Sequence, residues 1–434
     1  MRTDRTDYKV RAVHCDHRSE DEAVYEALKR ATAPLTEAWA ELKAAGTIAI
    51  KFNQDYDPDR MPHFKGMRQQ LVSDKVARAV LRLLREETSA GIFCVDTTVF
   101  HRHEAERGKG YSTQLAPVLK AFEVDYVDAD EPPHGVYDVP GGGQMFTRYV
   151  MPERVMEADA LVDVQKIKNH AFMGVTLTLK NLFGLMVQLP HNKPRHYYHH
   201  LVRMPYMLAD LGQLYNPTLN IIDGLVGQAG MEWGNGEGLG RVVDALIAGD
   251  HAVATDTVGM HLMGLDPMSD WLAEPFHRDR NPLLVAAEGG YGTVDLNAID
   301  WESEVDPQPE GTFYAIMTDA LETNISWRRT MCEQALYYRD HIRDFAGKYA
   351  GEYILLQDNE VKWHDPDGHI RVSRRQLAGE NKDHAMYFKF VDPEEKEGEH
   401  YAVYESALAH LRTLDRVCKI DRPPAVVKSW ADYR

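Results

Sequence analysis

Apolar runs that are typical of buried strands alternate with helical segments over much of the chain. The runs that predict strands are residues 47–51, 91–95, 124–127, 160–164 and 218–222. The segments that predict helices are residues 20–45, 73–85, 153–158 and 251–263. Strands that alternate with helices at this spacing form a mainly parallel sheet that helices cover on both faces. The sequence therefore predicts an α/β fold.

The length of the chain predicts more than one structural unit. A sequence of 434 residues exceeds what one ordinary hydrophobic core holds. We expect an α/β domain over residues 1–325 and a small C-terminal α+β accessory unit over residues 326–434. In that unit, residues 345–361 predict a β-hairpin that turns at Asp358-Asn359. The acidic residues that follow the hairpin predict a solvated face: Asp392, Glu394, Glu395, Glu397 and Glu399.

The composition argues against several classes of protein. The formal net charge of −18 disfavours nucleic acid as a partner, because a phosphate backbone needs a broad basic surface. No apolar run approaches the roughly 18 residues of a membrane span, and the first residues lack the apolar core of a signal peptide. The four cysteines form no CxxC pair, which argues against an iron–sulfur cluster. We expect a cytoplasmic protein without a membrane partner, and a homo-oligomer remains open.

Between Asp163 and Asp210 the chain carries no acidic residue. At the average of 67 acids in 434 residues, these 46 positions would hold about seven (67/434 × 46). They hold these basic residues and histidines instead: Lys166, Lys168, Lys180, Lys193, Arg195, Arg203, His170, His191, His196, His199 and His200. A basic island in an acidic protein focuses positive potential on a small anion. The stretch therefore predicts a site for a carboxylate or phosphate, with side chains that can transfer protons.

Basic and amide side chains follow two of the predicted strands, and residues 165–170 are predicted as a loop. Ligands of parallel sheets bind beyond the carboxyl ends of the strands. Alternation places Lys166 and Lys168 on the same side of the backbone, which suits an anion. The residues that we expect to bind the anion here are Lys51, Asn53 and Lys166, and those that we expect to act in catalysis are Lys168 and His170, with His170 as general acid and base. A basic surface loop is the alternative.

Lys180 and Asn181 interrupt a segment, residues 172–186, that is otherwise apolar apart from two threonines. A lysine in such a segment is paired, covers apolar surface with its stem, or faces a ligand. Burial favours the uncharged amine, so we expect Lys180 to act as a base or Schiff-base nucleophile and Asn181 to orient the substrate. The alternative is a lysine at a helix end that covers apolar surface.

The histidine cluster around Arg195 supports three interpretations. On a helix, His196 and His200 would share one face, as metal-binding histidines do. No carboxylate lies near them in sequence, however, and Arg195 would repel a cation. An anion-binding loop or lid in which Arg195 contacts the substrate is therefore the second interpretation, and a plain loop is the third.

Two aspartates are candidates for the site. Asp223 lies at the predicted end of a strand, where we expect a general base or metal ligand. The glycine-rich residues 224–240 follow it and match neither a P-loop nor a dinucleotide fingerprint, so they are a ligand-binding loop or a structural one. Asp256 lies inside a predicted helix, where an acid needs solvent, a partner or a ligand, and we expect it to bind substrate.

Several of these segments occur in the order of a known family. They are Lys51-Phe52-Asn53, residues 165–170, residues 178–184, Ile222-Asp223-Gly224 and residues 252–257. In this order they resemble the family catalogued as domain of unknown function 362, over roughly residues 45–300. Many members carry a ferredoxin module, but this chain lacks its CxxC run, so an iron–sulfur role is not carried over. The same order resembles the N-terminal part of nickel-dependent lactate racemase, which implies histidine and lysine chemistry on an anion.

These observations favour an enzyme that acts on a small carboxylate or phosphate by proton transfer, as an isomerase, epimerase or lyase. One alternative is a metal-dependent oxidoreductase or metal-binding protein, in which histidines and aspartates hold a divalent metal. A second alternative is a protein that binds its ligand without turnover.

Overall fold

The computed structural model describes residues 5–54, 61–97, 113–230, 239–316 and 319–417. The strands are β1 (Tyr8–His14), β2 (Thr47–Phe52), β3 (His63–Phe64), β4 (Met67–Arg68), β5 (Gly91–Asp96), β6 (Asp125–Asp128), β7 (His134–Asp138), β8 (Arg148–Pro152), β9 (Ala160–His170), β10 (Gly174–Thr176), β11 (Leu219–Gln228), β12 (Gly240–Gly249), β13 (Ile299–Ser303), β14 (Tyr353–Gln357), β15 (Glu360–Asp365) and β16 (Tyr387–Phe390). The helices are α1 (Asp21–Thr32), α2 (Thr36–Ala44), α3 (Asp74–Glu87), α4 (Ala116–Ala121), α5 (Glu153–Met156), α6 (Thr178–Asn181), α7 (Arg195–Tyr198), α8 (Arg203–Tyr215), α9 (Ala252–Leu262), α10 (Pro282–Glu288), α11 (Leu321–Asp340), α12 (Ile342–Tyr349), α13 (Arg374–Ala378) and α14 (Ala402–Val417). None of the described helices combines the length and hydrophobicity needed to cross a bilayer.

The main sheet is mostly parallel. Its strand order is β13-β1-β12-β11-β9-β2-β5-β6, and β10 pairs with β9 near the centre. The five adjacent strands from β11 to β6 run parallel to one another, while β12 is antiparallel to both of its neighbours. The predicted α/β fold with a mainly parallel sheet is confirmed.

Alternate residues of the central strands fill two separate cores. On β2, Ile48, Ile50 and Phe52 pack with helices α1 to α4 on one face of the sheet. Ala49 packs in the other core, together with residues of α6, α8, α9 and α10. Lys51 has the parity of Ala49, so its side chain leaves the strand towards α6. The alternation of β2 thus determines which face of the sheet receives this lysine.

Strands β9 and β11 are longer than the sequence predicted. Residues 165–170 are not a loop, because they continue β9 to His170 and pair there with β10. β11 likewise continues past Asp223 to Gln228, where it pairs with β12. Both errors have one cause: the strands carry polar residues that are buried by neighbouring strands, so the apolar run ends before the strand does. Residues 231–238 of the glycine-rich segment lie outside the described residues.

The segment predicted as one helix over residues 20–45 is two helices. α1 ends at Thr32 and α2 begins at Thr36, with Pro34 between them. Proline lacks an N–H and its ring clashes with the preceding turn of a helix, so it ends α1. Ser73 caps α3 as predicted, since its hydroxyl accepts a hydrogen bond from the backbone N–H of Val76.

The C-terminal residues form a small antiparallel sheet, β15-β14-β16, with helices α11 to α14 around it. The predicted hairpin is present as β14 and β15, and Asp358 and Asn359 have φ of 52° and 64° at its turn, as a type I′ turn requires. Residues 345–349 lie in α12 instead. The apolar core under α8 and α9 continues into this unit through Tyr338 and Phe388. The boundary at residue 325 stays a prediction.

Three acids of the segment after β16 do not lie on a solvated face, whereas Glu394 is exposed as predicted. Glu395, Glu397 and Glu399 lie 2.8, 2.7 and 2.8 Å from the ammonium nitrogen of the buried Lys389. Glu399 also pairs with Arg203 of α8 at 2.9 Å, and both side chains are fully buried. These acids therefore join the C-terminal sheet to the main domain.

Candidate functional site

Three neighbouring parallel strands end at one cavity. The carboxyl ends of β9, β2 and β5 lie side by side in the sheet, and the residues at or just beyond them are His170, Asn53 and Asp96-Thr97. All of these residues line a cavity of ≈ 520 Å³. Ligands of α/β sheets bind at such an edge, and small-molecule sites typically have volumes of about 300–1,000 Å³.

Among the residues that the structure describes, six basic side chains and one carboxylate line the cavity. The basic residues are Lys51, Lys168, Lys180, Arg195, Arg278 and Arg374, and the carboxylate is Asp96. The remaining polar residues include three histidines, which are His170, His196 and His199. This lining attracts an anion, and it does not fit a bare divalent cation, which needs carboxylate or neutral donors that are not surrounded by positive charge.

The carboxylate of Asp96 is held by Lys51. Lys51 Nζ lies 2.9 Å from Asp96 Oδ2 and donates a hydrogen bond to the carbonyl of Phe52 at 2.7 Å. Gly184 packs against this pair, and a Cβ atom there would lie 2.6 Å from Lys51 Cε and 2.8 Å from Asp96 Oδ1. The glycine of the Lys-Asn-Leu-Phe-Gly segment is thus required by the close approach of a buried ion pair.

Lys168 is positioned by residues from two different segments. Its ammonium group donates hydrogen bonds to Asn53 Oδ1 at 3.2 Å and to the carbonyl of Gln70 at 2.9 Å. The lysine is 5% exposed. Asn53 therefore orients Lys168.

The hydrogen bonds of His170 determine its tautomer. Its Nδ1 accepts hydrogen bonds from the backbone N–H groups of Phe172 at 3.0 Å and Met173 at 3.2 Å. A nitrogen that accepts N–H groups carries no proton, so the ring is neutral with its proton on Nε2. A second proton on Nδ1 would face two donors, which disfavours the imidazolium. His170 is therefore suited to donate a hydrogen bond through Nε2, whereas its predicted use as a base would require the other tautomer.

His199 stacks against His170, with ring centroids 5.8 Å apart and planes at 28°. Burial, and next the nearby Lys180, hold the pKa of His199 well below its ordinary value. The imidazole is therefore uncharged near pH 7. Two neutral histidines thus lie among the basic residues of the cavity.

Lys180 and Asn181 lie on the short helix α6, whose start is held by Asp256. That aspartate accepts hydrogen bonds from the N–H of Thr178 at 2.7 Å, from its hydroxyl at 2.6 Å and from the N–H of Leu179 at 2.8 Å. Burial raises the pKa of Asp256 to about 7. Asp256 is not among the described residues that line the cavity, and it positions α6; its contact with substrate stays a prediction.

Asn181 also forms hydrogen bonds with residues of β9. Its Nδ2 donates to Asp163 Oδ1 at 2.5 Å and to the carbonyl of Val164 at 3.2 Å. Burial raises the pKa of Asp163 well above its ordinary value. Asn181 lines the cavity, and these bonds fix its orientation to β9.

Lys166 and Asp223 form a separate buried pair. Lys166 Nζ lies 3.0 Å from Asp223 Oδ2, and both side chains are 0% exposed. Asp223 also accepts the N–H of Ser73 at 2.8 Å, at the start of α3. Neither residue is among those that line the cavity, because the two opposite charges pair with each other inside the fold. The predicted roles of Lys166 in substrate binding and of Asp223 in catalysis are therefore not supported by their placement.

The two histidines predicted as a metal pair do not share a helical face. α7 ends at Tyr198, so the i, i+4 relationship that places His196 and His200 together on a helix does not apply. His196 stacks on Phe388 with centroids 5.0 Å apart, and burial, followed by Arg374, lowers its pKa to about 4. Within the described ranges, the His, Cys, Asp and Glu groups whose ligand atoms converge within 4.8 Å are Asp16, His17 and Asp244. These residues could hold a metal, although Arg18 already binds both oxygens of Asp16.

Sequence reasoning missed the basic residues that come from distant segments. Arg278 follows α9 in a loop, and Arg374 begins α13 in the C-terminal unit. Arg278 lies 3.8 Å over the ring of Phe172, which also lines the cavity. No local pattern marks either arginine. Asp96 and Thr97, in contrast, follow a predicted strand and were accessible to the same strand-end argument that found Lys51.

Comparison with known proteins identifies the family of the central segment. Residues 48–261 match the family described as Domain of unknown function (DUF362). This match covers 214 of the 434 residues, just under half of the chain. The predicted resemblance is thereby confirmed, and the DUF362 segment contains β2, β5, β9 and α6, which supply most of the cavity.

Two known proteins are similar to the chain. It is 27% identical over 205 residues to the thylakoid-associated protein sll1697 of Synechocystis sp.. The aligned residues cover 46% of this chain and 59% of that protein. The chain thus spans less than two thirds of that relative's length. Among solved structures, the lactate racemase apoprotein of Thermoanaerobacterium thermosaccharolyticum has a TM-score of 0.35 and 14% identity, over 59% of this chain and 57% of that one.

Proposed function

We propose that the chain is an enzyme that binds a small carboxylate or phosphate in the cavity at the ends of β9, β2 and β5, and that it moves a proton on that substrate. The observation that carries the proposal is that the described residues of the lining include six basic side chains and one carboxylate, which pairs with Lys51. Burial of so many cations around one cavity is unfavourable unless an anion offsets their repulsion.

Five of the cavity residues have three roles. Lys168 and Arg195 bind the anionic group, Asn53 and Asn181 fix the geometry, and His170 donates its Nε2 proton in a hydrogen bond to the oxygen that gains charge. A neutral imidazole of this kind stabilises a developing enolate without being consumed as an acid. Proton transfer at the carbon beside a carboxylate is the reaction that such a donor assists.

Lys180 is the base in this scheme. It is buried on α6 with Nζ 4.8 Å from the Phe183 ring centroid, and other basic side chains surround it. Burial beside cations favours the uncharged amine, which is the form that accepts a proton. The reaction class that follows is isomerase, epimerase or lyase.

Solvent exchange tests this proposal without knowledge of the substrate. The protein is incubated in D₂O with sets of 2-hydroxy, 2-amino and 2-methyl carboxylates, and deuterium incorporation beside the carboxylate is followed by NMR. We expect exchange in at least one set and its loss, by about a hundredfold or more, in Lys180→Met and His170→Ala. Folded variants that exchange like wild type would contradict the roles of both residues.

A further inference from the structure

A second cavity of ≈ 440 Å³ adjoins the first. The two cavities share four lining residues, which are Phe172, His199, Arg278 and Arg374. The far wall of the second cavity comes from the C-terminal unit and includes Trp327 of α11, Ala378 of α13 and Met386. The basic cavity at the sheet edge therefore opens beside a chamber whose far wall combines these apolar side chains with Arg375, Lys382 and His384.

His200 points to a ligand in this second cavity. The residue lines the cavity and is only 6% exposed, and neither ring nitrogen has a hydrogen-bond partner among the described residues. Burial, followed by the nearby Arg374, holds the pKa of His200 well below its ordinary value. A buried neutral imidazole without a partner is costly, since its polar atoms lose their bonds to water. A ligand with a hydrogen-bonding group would restore them.

The junction between the cavities is built for a flat apolar group beside a charge. Arg278 Cζ lies 3.8 Å from the Phe172 ring centroid and 5.8 Å from that of Trp327. Arg374 Nη2 is buried and has no hydrogen-bond partner in the described part of the chain. Guanidinium groups held against aromatic faces present their remaining donors to an anion and leave the rings to contact apolar groups.

We propose that the second cavity is a subsite for the body of the substrate, so that the substrate is an elongated anion. Its carboxylate or phosphate lies in the first cavity. An aromatic or otherwise apolar portion extends past Arg278 to Trp327 and Met386, with a polar group near His200. This inference rests on the proposed anion site and assigns the C-terminal unit to substrate selection.

A pair of carboxylates that differ only by a phenyl group tests the inference. Isothermal titration compares butanoate with 4-phenylbutanoate, and inorganic phosphate serves as a small anion. In the wild-type chain we expect 4-phenylbutanoate to bind at least about tenfold more tightly than butanoate, because the phenyl group is buried. In Ala378→Trp, whose indole fills the second cavity, the ratio falls to about one. Ala44→Trp places the same side chain on an exposed helix position and keeps the wild-type ratio.

Fluorescence of the wild-type chain provides a test that does not depend on how Ala378→Trp folds. Binding of 4-phenylbutanoate changes the emission of Trp327, and the change disappears in Trp327→Phe. Equal affinities of the two carboxylates in wild type, or an unchanged ratio in folded Ala378→Trp, would overturn the subsite while leaving the anion site intact. If neither carboxylate nor phosphate binds, the proposed function fails as well.

Discussion

Lys166 and Lys168 are two residues apart on β9, yet they meet different partners. Lys166 pairs with Asp223 inside the fold, whereas Lys168 reaches the cavity. Lys193 and Arg203 of the same acid-free stretch pair with Glu397 and Glu399, which lie about 200 residues further along the chain. The sequence could predict where basic residues cluster. It could not predict which of them remain available to an anion, because their acids come from distant segments.

Gly184 provides a test of the buried ion pair at the cavity. In Gly184→Ala the new methyl group meets Lys51 and Asp96 at 2.6 and 2.8 Å, so the pair must shift. We expect a loss of about 1–3 kcal/mol in the free energy of unfolding, measured by urea denaturation, as for other overpacked sites. Gly347→Ala is the matched control, since it lies in the helix α12 with no atom within 4 Å of its Cβ, and it should be neutral or stabilising. Equal effects of the two changes would contradict the packing.

At the level of elements, the strand-end argument succeeded where polar residues follow an apolar run. Lys51 and Asn53 were found in this way, because β2 ends where its apolar residues end. For β9 and β11 the predicted strand ends were too early, because polar residues lie within these strands. The helix considered for His196 and His200 is only the single turn of α7. Short helices have weak local signals, and α7 is held by tertiary contacts such as the stack of His196 on Phe388.

The histidine of α7 predicts a pH dependence of stability. The pKa of His196 is lowered from its ordinary value of 6.5 to about 4, mainly by burial. Between these values the unfolded chain binds a proton that the folded chain does not, so stability falls as the pH falls from 6.5 to 4. His196→Phe keeps an aromatic ring on Phe388 and removes the titration. Between pH 6 and pH 5 we expect the free energy of unfolding, measured with urea, to fall by about 1 kcal/mol less in His196→Phe than in wild type.

The control for this comparison is His191→Phe, at an exposed position. It should show the wild-type dependence on pH. A parallel dependence in wild type and His196→Phe would mean that His196 is not buried as a neutral ring.

At the scale of the whole molecule, the C-terminal unit is part of the site and not an appendage. It contributes Arg374 to the cavity, and its acidic segment holds Arg203 of α8. The sequence predicted its hairpin from the Asp358-Asn359 turn but treated the acidic segment as solvated. Only the fold shows that these acids surround the buried Lys389, since a run of glutamates is the same in sequence whether it faces water or a lysine.

Lys389 tests this connection between the units. Lys389→Met leaves three glutamates together without their shared cation, so we expect a loss of about 3–5 kcal/mol in the free energy of unfolding. Lys348→Met, at an exposed position of α12, should stay within about 0.5 kcal/mol of wild type. Similar stability of the two variants, measured by denaturant titration, would contradict the buried network.

Calorimetric titration of inorganic phosphate and butanoate into the chain, in a buffer without competing anions, tests whether the cavity binds an anion. We predict binding of one anion per chain, weakened at least about tenfold in Lys168→Met, because a charge-assisted hydrogen bond contributes about 1.5–3 kcal/mol. The exposed Lys348→Met should bind like wild type. Absence of binding by both anions, or equal affinities of Lys168→Met and Lys348→Met, would contradict an anion site at the ends of β9, β2 and β5.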